Sequence, residues 1–299
     1  MSFEGVVVPL ITPFSKDLSI DFGATKWLIE ELGRAGVDAV FSSSTTGEFP
    51  HLTLEEMKNL NEFVSRERPS GLRVFAGVTA NSAHHAAELA KHAADAGADA
   101  AVSTTPYYFK HGRDALKRYF SMIVESADIP LILYTIPSTT GILLPIDLVV
   151  ELAQEYSQVV GIKVTHDSLR YLARLVDEVK SVRRDFSVFT GSSYLMLPAL
   201  EVGADGGVVA LANAYPATLV ELYRAWRRGD LGKALELHRR VLNLSKLYEL
   251  HSHIGATLKT LLNAAGAPIE PVVRPPLTTP RRELIEEFLR GHPVEIGVR

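Results

Sequence analysis

The feature that most constrains the fold is a series of eight short, apolar, β-rich segments with helical stretches between them. Their starts lie about 20 to 35 residues apart, which is typical of repeated βα units. In the second helical stretch Met57, Leu60 and Val64 share one face, and Thr53 and Glu56 have the spacing of a capping box. Eight such units predict an α/β fold, a closed (β/α)8 TIM barrel. The predicted strands are residues 5–10, 39–42, 73–78, 98–103, 130–134, 159–164, 186–190 and 206–211.

A short internal repeat supports this interpretation. Ala-Gly-Val-Asp at 35–38, Ala-Gly-Ala-Asp at 96–99 and Val-Gly-Ala-Asp at 202–205 each follow a helical stretch and precede a strand. Such a glycine is expected to end its helix in the left-handed conformation. The first strand is followed by Thr12-Pro13-Phe14 and not by a glycine-rich phosphate loop, which argues against an open dinucleotide-binding sheet.

The 299 residues are divided by pattern into a barrel and a helical segment. We expect the catalytic barrel to occupy residues 1–225 and an appended C-terminal helical segment to occupy residues 226–299. The segment includes a proline-rich linker at 268–280 and an amphipathic helix near 283–289. We do not expect it to be a separate catalytic domain.

Composition excludes several kinds of chemistry. The chain has no cysteine, which removes a disulfide scaffold, a thiol nucleophile, an iron–sulfur cluster and a cysteine-ligated zinc site. A formal net charge of -4 argues against a nucleic-acid partner. Of the ten histidines, only His51 and His166 are expected near strand ends, so neither a metal site nor a cofactor is predicted.

No targeting or membrane segment is expected. The N-terminus lacks the basic region and cleavage site of a signal peptide, which favours a cytoplasmic protein. The uncharged run at 129–146 contains Pro130, Pro137, Pro145 and Gly141, so a buried strand with a loop explains it better than a membrane span.

The predicted strand ends carry many hydroxyl groups and few carboxylates, which suits a small, polyoxygenated, anionic ligand. Lys163 interrupts the apolar strand 159–164. Burial there would disfavour its charged form and leave a free amine able to attack a carbonyl. A strand-end lysine in an ion pair with a neighbouring acid explains the segment equally well.

Three further side chains at these ends are candidates. Tyr134 ends the strand next to that of Lys163 and could carry protons, although a core tyrosine with a satisfied hydroxyl is the more common explanation. Thr45 and Thr46, in the turn before Gly47, could bind a carboxylate through hydroxyl and backbone N–H groups. Such a turn is weak evidence on its own.

Taken together, the segments resemble the dihydrodipicolinate synthase / N-acetylneuraminate lyase family of class I, pyruvate-handling aldolases. The resemblance covers about the first 225 residues. Its motifs are Gly-Val-Val-Val-Pro-Leu-Ile-Thr-Pro-Phe at 5–14, Thr-Thr-Gly-Glu-Phe at 45–49, Thr-Pro-Tyr-Tyr at 105–108, Leu-Tyr-Thr-Ile-Pro-Ser-Thr-Thr-Gly at 133–141, Gly-Ile-Lys at 161–163 and Gly-Gly-Val-Val-Ala-Leu-Ala-Asn at 206–213.

The resemblance implies specific roles. Lys163 would form a Schiff base with the ketone of pyruvate or another 2-oxo acid, and Tyr134 would donate and accept protons. Thr45 and Tyr108 would complete a proton relay, with Tyr108 reaching in from a neighbouring subunit of a homo-oligomer, a dimer of dimers. Thr46 would hold the pyruvate carboxylate, beside the backbone of Val208.

Two departures from the family pattern bear on the aldehyde. Thr139 stands where dihydrodipicolinate synthases carry an arginine that grips a carboxylate, and Ser192 follows the seventh strand where many relatives are acidic. A neutral, hydroxyl-bearing pocket favours a polyol aldehyde. We therefore expect a lyase that cleaves a 2-keto-3-deoxy sugar acid or related 4-hydroxy-2-oxo acid. The alternatives are 4-hydroxy-tetrahydrodipicolinate synthase, which uses pyruvate and aspartate semialdehyde, and a non-catalytic protein that binds 2-oxo acids.

Overall fold

Eight parallel strands close into a barrel in the computed structural model, which describes residues 2–297. Each strand pairs with its neighbours in chain order, and β1 pairs with β8. This confirms the predicted fold class and all eight predicted strand positions. The strands are β1 (Gly5–Pro9), β2 (Ala39–Ser42), β3 (Arg73–Gly77), β4 (Ala100–Thr104), β5 (Leu131–Thr135), β6 (Val159–Val164), β7 (Ser187–Thr190) and β8 (Gly206–Val208).

Twelve α-helices lie within residues 2–297. Most of them pack around the barrel through an apolar stripe, and the Thr53–Glu56 capping box begins α2 as predicted. The helices are α1 (Phe22–Ala35), α2 (Leu54–Glu67), α3 (Ala83–Asp95), α4 (Arg113–Ser126), α5 (Pro137–Thr140), α6 (Ile146–Glu155), α7 (Leu169–Val182), α8 (Met196–Glu201), α9 (Pro216–Arg227), α10 (Leu231–Leu244), α11 (Ile254–Ala264) and α12 (Arg282–Gly291).

β8 is shorter than the predicted segment 206–211. After Val208 the chain turns into a short 3-10 helix, Ala210–Asn213. The Asn213 amide explains the turn, because its Nδ2 donates to the Pro9 carbonyl at 2.9 Å and its Oδ1 accepts from the Ile11 N–H at 3.1 Å. These bonds tie the ends of β8 and β1 together in place of further strand pairing.

The repeated Gly-x-Asp sequences lie at the N-terminal face of the barrel. Gly36, Gly97 and Gly203 have φ angles of 80°, 75° and 96°, the left-handed conformation that was predicted. The aspartate that follows each glycine accepts a hydrogen bond from the backbone N–H of the preceding strand; Asp99, for example, accepts from Val74 at 2.8 Å. Since this face of a barrel is remote from the strand ends that carry chemistry, the repeat serves stability.

The barrel interior is apolar below the C-terminal ends of the strands. Its buried residues include aromatic side chains from β2, β3 and β7, and Phe3 closes the N-terminal end, with its ring 4.9 Å from that of Phe75 in an edge-to-face contact. Tyr134 is part of the same cluster. The interior is therefore a packed core on which the polar groups at the C-terminal ends rest.

The C-terminal helices pack back onto the barrel. The predicted boundary at residue 225 falls inside α9, and the division of the chain into two parts stays a prediction. The predicted amphipathic helix near 283–289 is confirmed as α12. Beyond it, the Glu295 carboxylate accepts a hydrogen bond from the Thr218 N–H at 2.9 Å. No helix in residues 2–297 has the length and apolar character needed to cross a bilayer.

Candidate active site

Lys163 lies near the C-terminal end of β6, beside Tyr134 of β5 in the strand register. It is 4 % exposed, and its Nζ lies 4.0 Å from the centre of the Tyr134 ring and 5.5 Å from that of Phe41. Among residues 2–297 no carboxylate forms an ion pair with this amine. The alternative of a strand-end lysine held by a neighbouring acid therefore does not describe the structure.

Close packing orients the Lys163 side chain. A Cβ atom added to Gly191 would lie 1.9 Å from the Thr165 Oγ1 and 3.0 Å from the Lys163 Cε. Thr165 Oγ1 in turn donates to the Tyr134 hydroxyl at 3.3 Å. The glycine thus leaves room for a lysine, a threonine and a tyrosine to meet.

The Thr45–Thr46 turn after β2 lies close to the end of β1. Thr12 Oγ1 donates to the Gly47 carbonyl at 2.7 Å, and a Cβ atom on Gly47 would be 2.7 Å from the Leu10 carbonyl oxygen. The Thr45 hydroxyl oxygen is buried and has no hydrogen-bond partner within the described chain. A buried, unpaired hydroxyl is available to a bound ligand.

These groups surround a cavity of about 290 Å³ at the barrel mouth, large enough for a small oxo acid. Six of the predicted site residues line it together. They are Thr45, Thr46, Tyr134, Thr139, Lys163 and Val208. Thr139 has no charge, and its hydroxyl donates to the Ile136 carbonyl at 3.2 Å.

Two predicted site residues do not line this cavity. Ser192 is buried, and its hydroxyl donates to Asp167 Oδ1 at 2.9 Å. Tyr108 is 79 % exposed, and its ring packs edge-to-face on the exposed Phe109 at 5.0 Å. Within one chain, therefore, neither side chain reaches Lys163.

The C-terminal segment supplies part of the cavity wall, which the sequence interpretation missed. Its lining residues are Tyr248, His251, Ser252, His253 and Ile254. His253 caps α11, because its Nδ1 accepts from the Ala256 N–H at 3.3 Å, and burial lowers its pKa. The available sequence signal is the pair of histidines just before an apolar helix.

The two histidines expected near strand ends, His51 and His166, do not line the Lys163 cavity. His51 lines an adjoining cavity, which shares Thr45 and His253 with the first. His166 packs against Tyr171, with ring centres 5.9 Å apart. Within residues 2–297 no group of three histidine or acidic side chains has the arrangement of a metal site.

The architecture and the site together define a class of enzyme. A (β/α)8 barrel with a buried lysine at the C-terminal ends of its strands, surrounded by hydroxyl groups, is the arrangement of a class I aldolase, a carbon–carbon lyase. Residues 2–290 match the model of the dihydrodipicolinate synthetase family, and the chain belongs to that family.

Relatives agree with this assignment over nearly the whole chain. A protein from Thermofilum pendens described as an uncharacterized DapA-like lyase is 43% identical, over 99% of this chain and 98% of its own length. YagE of Escherichia coli, described as a putative 2-dehydro-3-deoxy-D-gluconate aldolase, is 34% identical over 96% of each chain. The crystal structure of YagE in complex with pyruvate superimposes with a TM-score of 0.94, covering 97% of this chain and 98% of YagE.

Proposed function

We propose that the protein reversibly cleaves a 2-keto-3-deoxy sugar acid, or a related 4-hydroxy-2-oxo acid, to pyruvate and an aldehyde. One observation carries the proposal. The Lys163 amine is buried, faces a hydroxyl-lined cavity and forms no ion pair within the described chain. Such an amine is suited to nucleophilic attack on a ketone.

The reaction starts with the addition of Lys163 Nζ to the C2 carbonyl carbon, and loss of water gives a protonated imine. The Tyr134 hydroxyl gives its proton to the departing water, and the phenolate so formed accepts the proton of the C4 hydroxyl while the C3–C4 bond breaks. The electron pair of that bond moves toward the imine nitrogen and leaves an enamine, and the aldehyde departs. Protonation at C3 and hydrolysis then release pyruvate and the free lysine.

The other predicted residues have supporting roles in the proposal. Thr45 passes protons to and from Tyr134, since its hydroxyl is unpaired in the described chain. Thr46 and the Val208 backbone hold the carboxylate of the oxo acid, and both residues line the cavity. Thr139, which lines the cavity, belongs to the region that accepts the aldehyde portion, whereas Ser192, which was also predicted to bind substrate, does not line the cavity and donates to Asp167.

We also propose that the protein forms a homo-oligomer, a dimer of dimers, in which Tyr108 completes the relay of the neighbouring subunit. Tyr108 and Phe109 are 79 % and 69 % exposed, and such a patch of large aromatic rings favours burial against another protein surface. The cytoplasmic location inferred from the sequence stays a prediction.

The names of two relatives favour a sugar acid as substrate. YagE and YjhH of Escherichia coli are described as a putative 2-dehydro-3-deoxy-D-gluconate aldolase and a probable 2-dehydro-3-deoxy-D-pentonate aldolase. Several structural neighbours are described as dihydrodipicolinate synthases, which supports the alternative of condensation with aspartate semialdehyde. Thr139, which cannot form the bidentate ion pair of an arginine with a second carboxylate, favours the first.

Reduction with borohydride in the presence of pyruvate tests the nucleophile. A stable adduct on the peptide that contains Lys163 is expected in the native protein and in Lys16→Ala, a control at an exposed lysine. The adduct is expected to vanish in Lys163→Ala. No adduct in the native protein, or an adduct that persists in Lys163→Ala, would refute the proposal.

A panel of 4-hydroxy-2-oxo acids then identifies the reaction through the release of pyruvate. The condensation of pyruvate with aspartate semialdehyde is measured alongside. Cleavage of sugar acids that is faster than this condensation supports the lyase. The reverse order supports the synthase. An adduct with no turnover on any aldehyde or oxo acid would instead indicate a binding protein.

A further inference from the structure

One face of α11 contacts the turn that carries Thr45 and Thr46. A Cβ atom on Gly255 would lie 2.2 Å from the Thr46 carbonyl oxygen, so the helix backbone packs directly on the turn. Lys259 follows four residues later on the same face of the helix, and its Nζ donates to Glu48 Oε1 at 2.5 Å. The helix therefore contacts the turn region at two points.

The Lys259–Glu48 ion pair is completely buried, with both side chains 0% exposed. Lys259 Nζ also donates to the Val272 carbonyl at 2.9 Å and lies 4.1 Å from the centre of the Phe14 ring. The second carboxylate oxygen of Glu48 accepts from the Arg274 N–H at 3.0 Å. Each charge therefore has several fixed partners in one arrangement.

A buried ion pair is weak evidence for stability, since apolar residues of similar volume often replace such a pair without loss. A fully bonded buried pair does, however, specify one geometry, because any other leaves a charge unpaired. The geometry fixed here is that of Glu48, whose φ of 63° is left-handed and whose N–H donates to the Thr45 carbonyl at 3.1 Å. The pair thus constrains the backbone of a cavity residue.

We propose that Lys259 and Glu48 are positioning residues, which hold the Thr45–Thr46 turn in the geometry that binds the carboxylate of the oxo acid. Neither side chain is among the described residues that line the Lys163 cavity, although Glu48 lines the adjoining cavity that shares Thr45 with it. Both residues therefore act on the Lys163 cavity through the turn. The inference rests on the function proposed above, in which Thr46 binds that carboxylate.

Three variants test the inference: Lys259→Met, Glu48→Gln and the two combined. The readouts are the thermal midpoint and the pyruvate concentration that gives half-maximal borohydride adduct on Lys163. Each single variant is expected to melt lower, since it leaves a buried group unpaired. The combined variant is expected to melt higher than either, while its half-saturating pyruvate concentration stays raised by about tenfold or more.

A matched control lies at the opposite end of the barrel. Lys180 Nζ donates to Asp205 Oδ1 at 2.8 Å, so Lys180→Met removes an ion pair without touching the turn. Lys180→Met is expected to change the thermal midpoint only. If the combined variant binds pyruvate like the native protein, the pair is merely structural and the inference is wrong.

A milder variant covers the case in which the combined one does not fold. Glu48→Asp keeps the charge but withdraws the carboxylate by one methylene group, and the same rise in half-saturating pyruvate is expected. An unchanged value in a folded Glu48→Asp protein overturns the inference. The proposed function fails separately, since it requires an adduct in the native protein.

Discussion

The amine of Lys163 lies over the face of the Tyr134 ring, 4.0 Å from its centre, with the two residues adjacent in the register of β5 and β6. The ring packs against the nucleophile, while the hydroxyl group meets Thr165 Oγ1 at 3.3 Å. The two parts of one tyrosine thus have different contacts, which allows them to be tested apart.

Tyr134→Phe removes the hydroxyl and keeps the ring. The pyruvate adduct on Lys163 is expected to form at a similar final yield, because the packing around the amine is unchanged. Turnover is expected to fall by about 100-fold to 10,000-fold, the usual contribution of a general acid–base group. Adduct yield and pyruvate release, measured on the same preparation, check the two statements. Full turnover in this variant would remove Tyr134 from the proton path.

Gly191→Ala introduces a methyl group where none fits. Its Cβ would lie 1.9 Å from Thr165 Oγ1, so this hydroxyl, which is bonded to Tyr134, must move away, and at 3.0 Å from Lys163 Cε the lysine must give by a few tenths of an ångström. A shift of about 1 Å at a reacting group can lower the rate by about 100-fold. The control is Gly291→Ala, since a Cβ there meets no atom within 4 Å. The adduct is expected to form more slowly in Gly191→Ala than in Gly291→Ala, and equal rates would contradict the prediction.

Thr139→Arg tests the basis of aldehyde selectivity. A guanidinium group at this cavity position supplies a bidentate ion pair with a second carboxylate, which the uncharged Thr139 cannot form. The ratio of kcat/KM for aspartate semialdehyde to kcat/KM for glyceraldehyde is expected to rise by about tenfold to 100-fold. Thr139→Gln, long but uncharged, controls for size and is expected to leave the ratio near the native value. A rise with glutamine equal to that with arginine would show that charge is not the cause.

The Arg274–Glu56 pair predicts that the free energy of unfolding decreases as the pH is lowered. Two guanidinium nitrogens of Arg274 bind the Glu56 carboxylate, at 2.7 and 2.5 Å, and this lowers the pKa of Glu56 from 4.5 to about 2. Between these values the unfolded chain binds more protons than the folded protein. The stabilisation is therefore complete above pH 4.5 and is lost as the pH falls toward about 2.

Denaturant unfolding across this pH range measures the effect. Glu56→Gln is expected to reduce the loss of unfolding free energy on acidification. Glu283, in the first turn of α12, forms no ion pair within residues 2–297, so Glu283→Gln is expected to keep the native slope. Identical slopes in Glu56→Gln and the native protein would show that the pair does not contribute.

The barrel and the central part of the site could be predicted from the sequence because both follow from local patterns. Parallel strands bring their C-terminal ends to one edge, so finding β2, β5 and β6 was enough to bring Thr45, Tyr134 and Lys163 together. The left-handed glycines of the Gly-x-Asp repeat were predictable for the same reason, since a helix end is determined by a few adjacent residues.

The far wall of the cavity could not be predicted in this way. His251 and His253 reach it because the chain after α10 folds across the barrel mouth, and no spacing in the sequence encodes that path. The Lys259–Glu48 pair joins residues 211 positions apart, and each of them alone resembles an ordinary charged residue of a helix or turn. The exposed Tyr108 is a different case, since its predicted role depends on a neighbouring subunit and a single chain does not test it.

The distance in sequence between Lys259 and Glu48 has a consequence for the order in which a newly made molecule matures. The ribosome delivers the turn of β2 early and α11 near the end of synthesis, and domains fold progressively as they emerge. A nascent chain therefore holds all eight strands and Lys163 before it holds the lysine that anchors the turn. If Lys259 holds the turn as proposed, closure of the barrel is not sufficient for catalytic competence, which also requires α11.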